Sequence, residues 1–241
     1  MIDIHTHILP YCDDGAETMD ASLIELSEIS NSGVTDVILT PHYIRNIFKN
    51  SRNANVGTFL QLKQKLAEKD INVRIHQGTE IYLDDNIWQD IEKYQLNLAE
   101  SHYILVETGF SGFPSNLLEI FYQLVKKGYK PILAHPERYG DIMNDIDLAE
   151  ELIYRDIYLQ MNAGSFLGYY GNKVQRTAWK MLKRKLVHFL ASDTHCNLDY
   201  YFLKEALQTA AKHTDADFID LITRRNPEKI LQDLEINHLH N

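Results

Sequence analysis

Hydrophobic positions switch between a period of two and a helical period along most of the chain. Residues 1–5 alternate as a short strand. Residues 18–32 then place Met19, Leu23, Leu26 and Ile29 at helical spacing and stop before Gly33. Residues 34–40 form a β-branched run typical of a buried parallel strand, closed by Pro41 and delivering His42 at its carboxyl end. Residues 43–55 have little period and read as a loop, in which Arg45, Lys49 and Arg52 either meet an acidic substrate or are simply solvated. The helical pattern resumes over 56–69. Residues 71–81 alternate again and place Glu80 at a strand end. A helix over 84–94, a strand over 103–107 ending in Glu107, a helix over 115–127 and a strand over 130–134 running into His135 continue the rhythm. Residues 146–155 are helical, 157–161 a strand and 162–165 a turn. The helix over 172–185 presents Lys180, Lys183, Arg184 and Lys185 as a solvated face. The last strand, 187–191, leads to Asp193 and His195. Helices over 201–212 and 216–223 follow, and Asn226-Pro227-Glu228 has the form of an N-cap with proline at the first helical position.

These elements amount to about seven strand and helix alternations, with no Gly-x-Gly-x-x-Gly after the first strand to suggest a dinucleotide fold. The pattern predicts an α/β barrel of βα units, a single domain over 1–241 with residues 236–241 as a frayed tail. Barrels of this kind carry their sites at the carboxyl ends of the strands. There the chain concentrates its chemistry: the imidazoles of His5, His7, His42, His135 and His195 and the carboxylates of Asp14, Glu80, Glu107 and Asp193.

Composition narrows the picture. A length of 241 residues suits one barrel, and a net charge of -10 excludes a nucleic-acid footprint, which needs a surplus of Lys and Arg. No basic leader or long apolar run opens the sequence, so neither a secretory signal nor a membrane span is expected, and a cytoplasmic location follows. Two cysteines, Cys12 and Cys196, make no disulfide framework; small packing residues are their simplest reading.

The spacing in His5-Thr6-His7 lets two imidazoles share one face of a strand, either as a ligand pair or as two satisfied histidines. The adjoining Asp13-Asp14 offers hard oxygen to a second ion. Nine such groups in one pocket would repel and desolvate one another unless cations joined them. Three divalent ions would bring six positive charges against four carboxylates, a surplus that matches a phosphate dianion. His76, His102, His188 and His213 fall away from the strand ends, and His238 and His240 fall in the polar tail. A cysteine-based phosphatase is excluded, because Thr18 and Phe202 stand where an arginine would follow Cys12 or Cys196.

Together, Asp3-Ile4-His5-Thr6-His7, Asp13-Asp14-Gly15, Thr40-Pro41-His42, Gly78-Thr79-Glu80, Glu107, His135-Pro136-Glu137-Arg138-Tyr139 and Ser192-Asp193-Thr194-His195 resemble the polymerase-and-histidinol-phosphatase (PHP) superfamily. Within it the chain is most similar to the bacterial capsular and exopolysaccharide tyrosine phosphatases of the CpsB type. The resemblance runs from Met1 to about Glu228. It implies a distorted TIM-like (β/α)7 barrel with a trinuclear metal centre, manganese first, with iron, cobalt, zinc or magnesium also suited to the ligands. It implies a partner as well, a tyrosine-phosphorylated bacterial kinase that controls polysaccharide export.

Carried across, the resemblance puts His5, His7, Glu80 and Asp193 around one ion, Glu80, Glu107 and His135 around a second, and Asp14, His42 and His195 around a third. Arg138 would face the substrate phosphate with its planar donor fork, and Glu80 and His135 complete the catalytic set. A metal-bridging hydroxide would attack phosphorus while Arg138 and the ions stabilise the phosphoryl group. One departure stands out: relatives carry a further arginine soon after the Asp-x-His motif, whereas here the stretch reads Cys196-Asn197-Leu198-Asp199-Tyr200-Tyr201, leaving Arg45 or Arg52 as substitutes. Two rival functions remain, a small-molecule phosphatase of the histidinol-phosphate type and a non-catalytic regulatory barrel.

Overall fold

The computed structural model describes residues 1–85, 87–196 and 203–237. In chain order the elements are β1 (Ile2–Thr6), α1 (Met19–Asn31), β2 (Asp36–Leu39), β3 (His42–Ile44), β4 (Phe48–Lys49), α2 (Arg52–Glu68), β5 (Arg74–Gln77), β6 (Glu80–Tyr82) and α3 (Ile87–Tyr94). Then come β7 (Tyr103–Glu107), α4 (Leu117–Lys126), β8 (Lys130–Ala134), a 3-10 turn (Pro136–Arg138), α5 (Gly140–Asn144), α6 (Asp147–Tyr154) and β9 (Tyr158–Asn162). Helices α7 (Ala163–Leu167) and α8 (Asn172–Lys183), strand β10 (Phe189–Ala191), α9 (Leu203–Ala210), α10 (Ala216–Asp220), a π-helical turn (Leu221–Arg225) and α11 (Asn226–Leu231) complete it. No helix among the described residues is long and apolar enough to cross a membrane.

Strands pair in two sheets, β1-β2-β5 and β10-β9-β8-β7-β6-β3-β4. The sheets are continuous through two interrupted strands: the chain leaves β2, breaks at Thr40-Pro41 and resumes as β3, and it leaves β5, breaks at Gly78-Thr79 and resumes as β6. β2 lies parallel to β5, and β3 parallel to β6. A side chain at Gly78 would meet Ile38 Cγ2 at 2.7 Å and Leu98 Cδ2 at 2.9 Å, so glycine permits the second break. Across the remaining seam, Asp193 N donates to His5 O at 2.9 Å and His7 N to Thr194 O at 2.8 Å, beside a parallel bridge between Thr6 and Thr194. The result is a distorted α/β barrel, as the rhythm of the sequence predicts.

Strand alternation separates two cores. Leu105, Ile132, Ala134, Tyr158, Phe189 and Ala191 join Ile2, Ile4 and Ile38 in the inner cluster, while Ile104, Val106, Leu133, Leu159 and Leu190 pack outward with the helices. Both layers are essentially dry. Helices α1, α2 and α10 begin at side-chain caps: Thr18 Oγ1 accepts from Ala21 N, Ser51 Oγ from Ala54 N and Asp215 from Phe218 N.

Several boundaries differ from expectation. The loop expected over 43–55 is a β3–β4 hairpin leading directly into α2 at Arg52. Asn162-Ala163-Gly164-Ser165 enters a short helix rather than a turn. Asn226 is not an N-cap: the π-helical turn joins α10 to α11, Asn226 is helical (φ -69, ψ -47), and its amide donates to His188 O at 2.9 Å. Ile236, expected in a frayed tail, is buried, with its carbonyl accepting from Tyr158 Oη at 3.1 Å. His238, His240, Phe202 and the start of the helix expected at Tyr201 lie outside the described residues.

Candidate metal centre

The strand ends deliver the predicted groups to one mouth of the barrel. His5 comes from β1 and His7 follows it; Glu107 closes β7; His135 follows β8, and Asp193 and His195 follow β10. His42 and Glu80 open β3 and β6, where they sit opposite each other in the parallel register. Both expected strand ends are therefore strand restarts, displaced to the mouth by the two breaks. Asp14 reaches in from the loop after β1.

The phase of β1 needs a correction that alternation alone does not supply. Ile2 and Ile4 hold the inner face, yet His5 and His7 also turn inward. Pairing register on β2 shifts between Asp3 and Thr6, a local irregularity that re-aims the strand. Backbone strain does the same at two other places: His135 (φ 36) and Asp193 (φ 54) are both left-handed, a conformation non-glycine residues rarely adopt outside constrained sites.

The resulting contacts are short and mutual. His5 Nε2 lies 3.1 Å from His7 Nε2, 3.3 Å from Glu80 Oε2 and 3.3 Å from Asp193 Oδ1. His7 Nε2 lies 3.3 Å from Glu80 Oε2 and 3.4 Å from Asp193 Oδ1. His42 Nδ1 stands 3.0 Å from Glu80 Oε2 and 3.2 Å from Glu107 Oε1, and His135 Nε2 is 3.0 Å from Glu80 Oε1 and 3.8 Å from Glu107 Oε2. Asp14 Oδ1 is 3.5 Å from His42 Nε2 and 3.6 Å from His195 Nε2. Three overlapping groups have metal-compatible spacing: His5, His7 and Asp193; His42, Glu80 and Glu107; and His7, Asp14, His42 and His195. His7 and His42 each belong to two of them.

The donor set fits cations better than protons. His5 Nδ1 is engaged by Gln160 Oε1 at 2.7 Å and His7 Nδ1 by Asp13 Oδ2 at 2.8 Å; each partner oxygen only accepts, so each imidazole keeps its proton on Nδ1. Both Nε2 lone pairs then face each other and two carboxylate oxygens across a dry gap, an arrangement that is repulsive until a cation enters. His42 Nδ1 is buried without an aligned hydrogen bond. Without ions, His5 and His42 are drawn towards the protonated form instead. Burial opposes charging His5, but Glu80 and Asp193 outweigh it and raise its pKa; for His42, Glu107 and Glu80 overcome burial and lift it to about 10. Conversely, burial favours neutral Glu80, yet His5 and His135 hold its pKa well below the usual carboxylate range.

Arg138 rises from the 3-10 turn beside this cluster. Its guanidinium carbon lies 4.4 Å from the Phe110 ring centre and 4.3 Å from that of Tyr170, and Nη1 is 3.5 Å from Asp193 Oδ2. Both rings pack against the guanidinium. Of the two arginines expected in place of the missing one, Arg45 pairs with Asp84 and Asp90, and Arg52 with Glu100 and the Ala99 carbonyl. The stretch 197–202, where the resemblance would place that arginine, lies outside the described residues.

His76 pairs with Asp36 at 3.0 Å and His102 with Asp233 at 2.5 Å, His188 Nδ1 accepts from Leu159 N at 3.1 Å, and the His213 ring packs on Trp179 at 4.3 Å. None of the four joins a metal-type group among the described residues. Asp13, read in the sequence only as part of an acidic pair offering oxygen to an ion, accepts from His7 and from the backbone N–H of His42 and Gly15, and the amides Gln160 and Asn162 were missed by sequence reasoning. Their only signal was position, next to a predicted ligand or at the end of a strand.

Barrel and mouth together define a hydrolase-type metal site built from histidines and acids at strand ends. Residues 1–232 match the family described as capsular polysaccharide synthesis, CpsB/CapC, and the chain belongs to that family. It is 34% identical over 239 residues to the tyrosine-protein phosphatase YwqE of Bacillus subtilis, covering 98% of this chain and 93% of that protein. A solved structure from work on YwqE of Bacillus subtilis and CpsB of Streptococcus pneumoniae, metal-dependent tyrosine phosphatases, superposes with a TM-score of 0.91 at 33% identity, over 98% of this chain and 96% of that one. A histidinol phosphate phosphatase from Lactococcus lactis has a TM-score of 0.55 at 15% identity, over 88% of this chain and 94% of that one, a likeness of fold alone.

Proposed function

We propose that this chain is a metal-dependent protein-tyrosine phosphatase of capsular or exopolysaccharide synthesis, acting in the cytoplasm on a tyrosine-phosphorylated bacterial kinase. One observation carries the reading: the Nε2 atoms of His5 and His7 face each other at 3.1 Å within reach of Glu80 and Asp193, in a chain 34% identical to a tyrosine-protein phosphatase. Three divalent ions fit the donor set, manganese first among them. His5, His7, Glu80 and Asp193 hold one, Glu80, Glu107 and His135 the second, and Asp14, His42 and His195 the third; the spacing of His7 to Asp14, His42 and His195 and of His42 to Glu80 and Glu107 makes these sets share members. Such ions, when bound, polarise phosphoryl oxygen and lower the pKa of water. A cytoplasmic setting is supported by two unpaired cysteines, stable in a reducing compartment.

The residues of the chain do the rest. Arg138, clamped between Phe110 and Tyr170, offers its donor fork to two phosphoryl oxygens and gains strength as charge builds there. Asp13 keeps the His7 proton on Nδ1, so that imidazole binds as a neutral ligand. A tyrosine leaves as a phenolate with a pKa of about 10, which lessens the need for a general acid.

The test is turnover of a tyrosine-phosphorylated kinase-tail peptide by the manganese-reconstituted chain, beside histidinol phosphate. Hydrolysis of the peptide, lost on chelation and in His5→Ala, is expected. Faster turnover of histidinol phosphate would overturn the substrate assignment, and inactivity towards both substrates would leave the regulatory-barrel reading standing.

A further inference from the structure

Four groups at the end of β9 and around it form a closed circuit with the metal-facing atoms. Asp193 Oδ1 lies 3.3 Å from His5 Nε2. Its other oxygen, Oδ2, accepts from Asn162 Nδ2 at 2.5 Å; Asn162 Oδ1 accepts from Gln160 Nε2 at 2.9 Å; and Gln160 Oε1 lies 2.7 Å from His5 Nδ1. All four residues are buried, and the two amides are fully so. Tyr158, Gln160 and Asn162 share the inner face of β9 by strand alternation, with Tyr158 in the apolar interior and the two amides above it at the mouth.

The polarity of this circuit has one solution. An ionised carboxylate only accepts, so Asn162 must turn its NH2 to Asp193 and its oxygen to Gln160. Gln160 must then present NH2 to Asn162 and oxygen to His5. His5 has no choice left: its proton sits on Nδ1 and its Nε2 lone pair faces Glu80 and Asp193. Asn162 is itself fixed, since its backbone N–H donates to Glu137 Oε1 at 2.9 Å, and that oxygen also accepts from Ser165 Oγ at 2.6 Å.

We infer that Gln160 and Asn162 are positioning residues for metal capture, a one-way amide relay that orients Asp193 and the His5 tautomer together so that both present lone pairs to the same ion. The inference rests on the metal-centre reading above and deepens it. Two buried amides facing each other have no packing reason to be polar; leucine of similar volume would fill the same space without needing partners.

The experiment is calorimetric titration of the full-length, metal-stripped chain with manganese chloride, with metal content checked by elemental analysis. Gln160→Leu cuts both links and is expected to weaken one ion by about 10–100-fold, the usual effect of removing a hydrogen-bond partner behind a ligand. Gln160→Glu keeps an acceptor for His5 Nδ1 but loses the donor to Asn162, and is expected to recover part of that loss, a rescue that a purely packing role would not produce. Asn162→Asp keeps the acceptor for Gln160 but removes the donor to Asp193, and is expected to weaken the same ion at least about tenfold. Wild-type affinity in Gln160→Leu, or a Gln160→Glu variant as weak as Gln160→Leu, overturns the relay. Should Gln160→Leu fail to fold, Asn162→Asp decides, and wild-type affinity there overturns it equally. A wild-type chain that binds no manganese would instead sink the metal reading, a distinct outcome visible before any variant is made.

Discussion

Gly15 offers a test of the site made from outside it. The loop after β1 folds back on His7 so closely that a Cβ at residue 15 would lie 2.0 Å from the His7 carbonyl oxygen, 2.6 Å from its Cβ and 2.8 Å from its carbonyl carbon. These are backbone or backbone-adjacent atoms, so no flexible tip can yield, and His7 or the turn must move by about 1 Å to restore ordinary contact. Neither is free to do so. The same carbonyl accepts from Ala16 N at 2.9 Å, while Asp13 ties His7 Nδ1 at 2.8 Å to Gly15 N at 3.0 Å and His42 N at 2.8 Å. Gly15→Ala is therefore expected to cost about 2 kcal/mol through overpacking, a fall in melting temperature of about 4–8 °C for a chain of this length. Because metal bonds tolerate only about 0.2 Å of ligand displacement, manganese affinity should fall by at least about tenfold. The control is Gly57→Ala within α2, where a Cβ meets nothing within 4 Å; it is expected to stabilise by about 0.5–1 kcal/mol through helix propensity. Thermal melting of the metal-free chains and calorimetric manganese titration measure both. An alanine at 15 that leaves melting and affinity unchanged would refute the claim that this turn positions His7.

Two further outcomes follow from separate parts of the molecule. Arg138→Ala should lower kcat on a phosphotyrosine peptide by about 10²–10³ with metal content intact, and Arg138→Lys should restore only part, since an ammonium lacks the planar fork; unchanged kcat in the alanine variant would remove Arg138 from the reaction. At the opposite side of the barrel, burial opposes ionising Asp36, but the hydrogen bonds from Arg74 at 2.8 and 2.6 Å and from His76 outweigh it and lower its pKa. That contribution is present above the unfolded value of about 3.9 and is lost as pH falls through the folded one. With Arg74 largely exposed, Asp36→Asn should lose about 1 kcal/mol at neutral pH, or about 2–4 °C, and the gap should close in acid; a gap constant down to about pH 2 would contradict the assignment.

What the sequence made legible was local. Strands such as Tyr103–Glu107 and Lys130–Ala134 fall where their periodicity places them, because a buried parallel strand bounded by Gly or Pro has few competing conformations. The candidate ligands come together because barrel topology converts a residue at a strand end into a residue at the mouth. Boundaries failed where one long strand is broken: nothing in the alternation over 71–81 reports that Gly78 must admit Ile38 and Leu98, contacts from distant segments. Asn226 failed for a related reason. Its local pattern is that of a cap, but its amide serves a distant carbonyl, that of His188, and the helix runs through it.

The deeper loss of information is in the phase of β1 and in what stands behind the ligands. Taken alone, the alternation of Ile2 and Ile4 sends His5 and His7 to the outer face; only the register shift against β2 brings them in, and that shift is a property of two strands rather than of either one. The amides of β9 are invisible in the same way, since Gln160 and Asn162 acquire meaning only when His5 and Asp193, 155 and 31 positions away, close the circuit. A candidate ligand set can thus be read from spacing and residue type, because metal chemistry restricts which side chains serve. The groups that fix tautomer and rotamer are drawn from the ordinary amides, and their selection is made by geometry that forms only when the barrel closes.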